Sequence, residues 1–396
     1  MKRGRWLAIL AAVSLLAGCK GFWDLPAGTS TGGGKGASSG VFYVANQATD
    51  QVAAFSISSG KLSNVSGSPY VLSVQPRSLA VAPSGGFLYV GTLAAGTYLY
   101  SIGSGGALTI ANGGQAVSFD LASAMAVDPS GSWLLDASPT QSGGVQVNAV
   151  PITSTGTVDL TRTEQSSAFN FTGAGVNGLA ISPDGHYVFV AAGTAGTLVL
   201  PFAHGSSSPL NANSAVTIQP INTGGSDLSV AVDPSNRLLY IGETVENSSA
   251  NSGGLRVFNY SSLGSGTLRQ AGGSPMASGG IAPTAILPLA SGDYVYVANG
   301  TGLSKTGNIQ GFAITAGGTA TAPTYTIATA GSSVQAGTQP AGLAEDNSGS
   351  YVLAINSGGS PDLNAYTMST GALTSALTSN TGTDPVQASA IAAVPR

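Results

Sequence analysis

Arg77, Asp227 and Glu243 are the side chains in this sequence best suited to bond-making chemistry. Opening an ester-like bond needs a base, a polarising donor and a means of holding an anionic intermediate. Glu243 fits the base and Arg77 the donor, and Asp227 would share the site of Glu243. Asn46, Asn177, Glu246, Asn299, Gln339 and Asn356 are the accompanying candidates for ligand binding. Residues 243–254 form a long polar insertion, and loops of this kind often carry binding. A structural reading competes with this one. In it, Asn46, Asn299 and Asn356 cap strand ends, while Glu243 and Glu246 are merely solvated. No phosphate loop, zinc-ligand spacing, EF-hand loop or nucleophile elbow is present. No cofactor and no metal are expected.

Those residues must be positioned by strands. The 396 residues include 57 Gly, 42% are hydrophobic and only 8% are charged, where soluble domains average about 25%. A helical protein of this size would need many Glu, Lys and Arg on its solvent faces. Here Ser, Thr, Asn and Gly take those places, and they favour strands and turns. The formal charge is −4. Nothing basic is available to cover a phosphate backbone, which excludes nucleic acid as the expected partner.

One unit recurs at a period of about fifty residues, suited to four short strands and their turns. Its turn and second strand are clearest in Ala82-Pro83-Ser84-Gly85-Gly86-Phe87-Leu88-Tyr89-Val90 and Asp128-Pro129-Ser130-Gly131-Ser132-Trp133-Leu134-Leu135. They return in Ser182-Pro183-Asp184-Gly185-His186-Tyr187 and Asp233-Pro234-Ser235-Asn236-Arg237-Leu238, and more weakly before Tyr296 and Leu353. Val41-Phe42-Tyr43-Val44 is a copy that lacks its preceding strand. Ser389-Ala390-Ile391-Ala392-Ala393-Val394 supplies that strand from the far end of the chain. The expectation is an all-β, seven-bladed β-propeller of four-stranded antiparallel blades over residues 40–396. Its ring would be closed by the C-terminal strand joining the N-terminal blade, which removes a free sheet edge. Ala and Gly fill the inner strands because blades converge at the axis. Phe55, Tyr100, Phe202, Phe258, Phe312 and Tyr366 belong farther out, where sheets stand about 10 Å apart.

This geometry sorts polar residues by face. The Pro-Asp-Gly-type turns lie on the bottom, while loops after the second strand, and segments leading into the first, lie on top. All the candidates above fall on top. His186 and His204 fall on the bottom and read as surface residues.

Cys19 is the single cysteine, so no internal disulfide is possible. It follows a basic start (Lys2, Arg3, Arg5) and an apolar run over 6–17, too short to span a bilayer. Leu16-Ala17-Gly18-Cys19 looks like a bacterial lipobox, which implies a signal peptide over 1–18 and a lipid on Cys19. Residues 19–39 are rich in Gly, Ser and Thr and read as a flexible tether. Lys20 after the cysteine resembles the Gram-negative pattern for the outer membrane. The expected location is therefore the cell envelope, periplasmic or surface-facing, with the protein monomeric.

Tyr43-Val44-Ala45-Asn46 and Tyr296-Val297-Ala298-Asn299 resemble the Tyr-Val-Thr-Asn repeat. Leu62, Gly67-Ser68-Pro69-Tyr70, Gln75-Pro76-Arg77-Ser78-Leu79 and Leu268, Gly273-Ser274-Pro275-Met276 are similar to the lactonase-type seven-bladed propellers. That family includes cycloisomerase-type 6-phosphogluconolactonases and the fungal carboxymuconate lactonising enzyme. The resemblance covers about 41–394. The lactonising enzyme relies on His, Arg and Glu, and no histidine here matches its position. Two functions stay open. One is a binding module for a glycan, peptide, small lactone or envelope protein. The alternative is a lactone hydrolase acting outside the cytoplasm.

Overall fold

The computed structural model describes residues 40–171, 173–244, 253–264, 267–300, 306–319, 322–359, 361–378 and 387–395. Cys19, the leader, the tether and Glu246 lie outside the described residues.

The turn between first and second strands explains the recurring Asp. Asp128 Oδ1 accepts the N–H groups of Ser132 (2.8 Å) and Trp133 (2.7 Å), and Asp346 Oδ1 those of Ser350 (2.9 Å) and Tyr351 (2.7 Å). Ser182 does the same through Oγ, accepting from His186 and Tyr187 at 3.0 and 2.9 Å. Short polar side chains can reach their own backbone in this way. One residue of the turn takes a positive φ. Gly85, Gly131, Gly185 and Gly349 occupy that place at 69–70°, and Asn236 at 54°, the non-glycine type most tolerant of it.

The turns join antiparallel strands that radiate from an axis. The inner strands are Pro76–Val81, Ala124–Val127, Ala174–Ile181, Asp227–Val232, Ala282–Pro288, Pro340–Glu345 and Ala388–Ala393. Each touches the next in a closed circle. Strand Ala388–Ala393 pairs with Gly40–Asn46, with Ala393 opposite Phe42 and Ala390 opposite Ala45. The last strand of the chain therefore joins the first.

The expectation of a seven-bladed propeller of four-stranded blades is corrected by the hydrogen bonding. Among the described residues five blades stand, four of them four-stranded and one five-stranded, and the other eight strands form one continuous sheet. The extra strand is Tyr70–Val71, which pairs with Gln51–Ser58. The eight-stranded sheet arises where Gly193 bridges Asp227. Gly193 has φ of 65° and no side chain, so the end of one repeat's second strand lies directly against the start of the next repeat's inner strand.

Apolar clusters fill the spaces between sheets. Trp133, Val147, Val190 and Leu200 form one of them, and Tyr240, Val257, Val297 and Phe312 another. Burying such side chains contributes about 1.5–3 kcal/mol each. Tyrosines of the second strands also tie neighbouring repeats together. Tyr43, Tyr89 and Tyr296 donate their hydroxyls to the carbonyls of Gly106 (2.9 Å), Gly156 (2.7 Å) and Gly371 (3.2 Å). The hairpin of Thr306–Thr319 and Ala322–Thr338 is the longest element. Its outer strand bridges Gly272 at Thr326 and so braces an adjacent sheet.

Candidate functional site

The second strands finish at the top of the ring, and there the axis opens into a cavity of about 420 Å³. Asn177, Thr284, Gln339 and Ser357 supply its polar lining, and Leu228, Ala282, Pro340 and Ala341 much of the rest. A second space of about 250 Å³ adjoins it, walled by the inner strands. Asn177 and Thr284 border both. Arg77 is the charged residue among its described lining. It is half-buried, and among the described residues it forms no ion pair.

The polar groups at the mouth are held in place. Asn177 Nδ2 donates to the carbonyl of Asp227 at 2.9 Å. Ser357 Oγ donates to the Gln339 carbonyl at 3.2 Å and lies 3.3 Å from Gln339 Oε1. Thr284 Oγ1 donates to the Pro340 carbonyl at 2.6 Å. Gln339 has φ of 54°. Positive φ costs energy in a residue with a side chain and persists where the surroundings over-determine it.

Asp227 and Glu243 do meet, but not beside Arg77. They face each other across paired strands, and both are fully buried. Their cation is Arg256, 3% exposed, from strand Gly254–Asn259. Its Nη2 donates to Asp227 Oδ1 at 2.9 Å and Oδ2 at 3.1 Å. Its Nε is 3.0 Å from Glu243 Oε2, although the N–H is not aimed along a hydrogen bond. Nη1 donates to the Gln219 carbonyl at 2.8 Å, and Thr197 Oγ1 to Asp227 Oδ2 at 2.6 Å. Glu243 also accepts the backbone N–H of Ile221 at 3.1 Å. Burial raises Asp227 to about 6, Arg256 and Thr197 pull it down, and Glu243 pushes it up again. With these partners, the two carboxylates secure the loop over 219–226 that leads into the inner strand Asp227–Val232.

Two of the asparagines do comparable work. Asn299 accepts from Ser278 Oγ at 2.6 Å and donates to the Ser278 carbonyl at 2.8 Å and to Asn308 Oδ1 at 3.0 Å. Asn356 accepts from Gly337 N at 3.0 Å and donates to the Pro361 carbonyl and Asn364 Oδ1, both at 2.8 Å. Both are buried and hold the loops that lead into their own sheets. Asn46 ends its strand opposite Gln51 and Ala388. The geometry thus brings Asn177 and Gln339 to the mouth and Arg77 to the adjoining space, and places Asn46, Asn299 and Asn356 at strand ends. His186 is on the bottom, 3.1 Å from Asp184, with a largely exposed side chain.

Sequence reading missed Arg256, Thr284 and Ser357. A signal for Arg256 was available: a lone cation stands in the apolar strand run Leu255-Arg256-Val257-Phe258. Asp136 was missed in the same way, inside Trp133-Leu134-Leu135-Asp136-Ala137. Among the described residues, no three His, Cys, Asp or Glu side chains gather in a way that could hold a metal ion, and no helix is long and apolar enough to cross a membrane.

Radial sheets, a closed circle of inner strands and an axial cavity define a β-propeller. It is similar to the periplasmic gluconolactonase PpgL of Pseudomonas aeruginosa, with a TM-score of 0.64 and 18% identity over 90% of this chain and 99% of that one. It is also similar to a functionally unknown protein from Desulfotomaculum acetoxidans, with a TM-score of 0.60 and 12% identity over the same shares. No protein-family model matches the chain, and no curated protein matches its sequence.

Proposed function

We propose that this propeller is an extracytoplasmic binding module whose ligand enters the axial mouth between Asn177, Thr284, Gln339 and Ser357. One observation carries the reading: the accessible polar groups are amides and hydroxyls, whereas Asp227 and Glu243 are buried and engaged by Arg256. A water-activating base needs access to the ligand, and among the described residues no carboxylate lines either space. Neutral donors and acceptors beside small apolar walls suit a compact, hydroxyl-rich molecule. Arg77, free of a carboxylate partner, suits one negative charge on that molecule.

Lactone hydrolysis is the second reading, and two observations favour it: the fold likeness to PpgL and the unpaired guanidinium in the channel. In that reading Arg77 polarises the lactone carbonyl, a water held by Asn177 or Gln339 attacks its carbon, and that water's proton passes through solvent to the ring oxygen as the ring bond breaks. Titration with gluconolactone and with gluconate separates the two. The binding reading expects saturable binding without turnover, weakened about tenfold by Gln339→Ala or Asn177→Ala. Turnover of the lactone that is lost in Arg77→Ala rejects it in favour of hydrolysis.

Attachment to the envelope through a lipid on Cys19 belongs to the same proposal. The basic start, the apolar run and Leu16-Ala17-Gly18-Cys19 support it. Metabolic labelling with palmitate that is lost in Cys19→Ser tests it.

A further inference from the structure

Asp136 is a buried carboxylate with no ion-pair partner among the described residues. It is 1% exposed, and its Oδ2 has no hydrogen-bond partner. Its Oδ1 accepts from Asn148 Nδ2 at 2.9 Å. Burying an ionised carboxylate in this way is costly, and the group responds by holding its proton.

Two further carboxyls act on it, Asp120 and Glu164, and they lie within hydrogen-bonding reach of each other. None of the three takes part in an ion pair among the described residues. The other polar groups nearby, Asn148 and Gln146, are neutral. Arg162, in the turn before strand Gln165–Phe169, is directed elsewhere. It stacks 3.9 Å from the Trp133 ring and donates to the Ser132 carbonyl.

Asp120 sits in the crossover from one sheet to the next. Ser118 anchors one end of that crossover by bridging Thr97, and Ser78 Oγ holds the Ala122 carbonyl at 2.9 Å. Phe119 and Leu121, on either side of Asp120, are exposed. The chain then runs into Ser123, Ala124 and Met125, which wall the channel. Met125 also pairs with Asp136 across the sheet. The orphaned oxygen, the carboxyl-bearing crossover and the channel wall therefore form one contiguous unit.

We propose that the crossover Ser118–Ser123 is an acid-set latch beside the channel, held down while the buried carboxyl of Asp136 keeps its proton and freed when it ionises. Burial raises Asp136 to about 8, with Asp120 and Glu164 adding to the rise and Asn148 opposing it. Glu164 is raised to about 7, by burial first and then by Asp120. Glu164 is exposed at the margin, where solvent weakens its share. In the freed crossover, Asp136 would titrate like an ordinary carboxyl, near 4. The opening equilibrium therefore grows about tenfold per pH unit from about 4 to 8 and levels off above that.

Hydrogen exchange of the full chain tests this, followed for residues 117–123 from pH 5 to 9 and corrected for intrinsic exchange. Protection should fall about tenfold per unit up to pH 8 and then level off. Asp136→Asn keeps the bond from Asn148 and should abolish most of the fall, and Asp120→Asn should reduce it. An unchanged fall in Asp136→Asn, or a flat profile in the unaltered protein, overturns the latch. So does restoration of protection at pH 8 by calcium ions alone, which would assign the carboxyls to a cation instead.

Discussion

Arg256 grips Asp227 with its Nη2 at 2.9 and 3.1 Å from the two carboxylate oxygens, inside a space closed to solvent. The pair does not face the mouth, but it governs the mouth's shape. The carbonyl of Asp227 receives Asn177 Nδ2, and the Glu243 carboxylate holds the loop at Ile221. Removing the cation would leave two buried carboxylates facing each other. Arg256→Met should therefore cost about 3–5 kcal/mol, read as a lowered midpoint in denaturant unfolding. Arg256→Met with Asp227→Asn and Glu243→Gln together should recover much of that loss. A single variant as stable as the parent would refute the role.

The loop over 219–226 has little spare room. A methyl group built on Gly225 would collide with Glu243 Oε1. Gly225→Ala should thus push the carboxylate away from Ile221 and lower stability by about 1–3 kcal/mol. Gly205 has open space around it, so Gly205→Ala should leave the thermal midpoint nearly unchanged. Thermal unfolding of the two variants side by side checks this.

Stability should fall as pH rises. Asp136 and Asp227 are raised to about 8 and about 6 by burial, so the folded state holds protons that the unfolded chain gives up near 4. For such carboxyls, stability is fullest below about 4 and is lost progressively up to the folded value. Asp184 acts in the opposite sense: its bonds to Ser182 and Tyr260 outweigh burial and lower it, so its contribution is lost only on stronger acidification. Melting temperatures from pH 4.5 to 9 should decline and then flatten near 8. Asp136→Asn should melt higher than the parent at pH 8 and show a shallower slope.

Much of the fold was legible because strand period, turn chemistry and crowding near the axis all leave marks in sequence. Ala80, Ala126 and Ala180 announce inner strands, and Asp128-Pro129-Ser130-Gly131 announces a turn. The joining of two repeats into one sheet was not legible, since it depends on a single backbone bridge at Gly193 rather than on a side chain. The site was legible in part. Register put Asp227 opposite Glu243, and face assignment put Asn177 and Gln339 at the mouth. Burial of the acidic pair was hidden because it depends on Arg256, whose strand supplies the cation from beside them. Thr284 and Ser357 look like any other polar residue in a chain full of them.

Arg77 offers a clean contrast with Arg256. Without an ion pair among the described residues, it has little to lose in stability, and Arg77→Ala should leave the thermal midpoint within about 0.5 kcal/mol equivalent. Binding of a carboxylate-bearing probe should nevertheless weaken about tenfold, as removal of one charge-assisted hydrogen bond implies. Calorimetric titration beside thermal unfolding distinguishes the two effects.

The most direct test is calorimetric titration of the lactone and its open acid into the parent, Gln339→Ala and a Glu243→Gln control. The mouth-binding account expects Gln339→Ala to weaken binding about tenfold at unchanged stability, and no lactone turnover by any of the three. Lactone turnover by the parent that disappears in Glu243→Gln, with stability intact, would contradict it and return the chemistry to the buried pair.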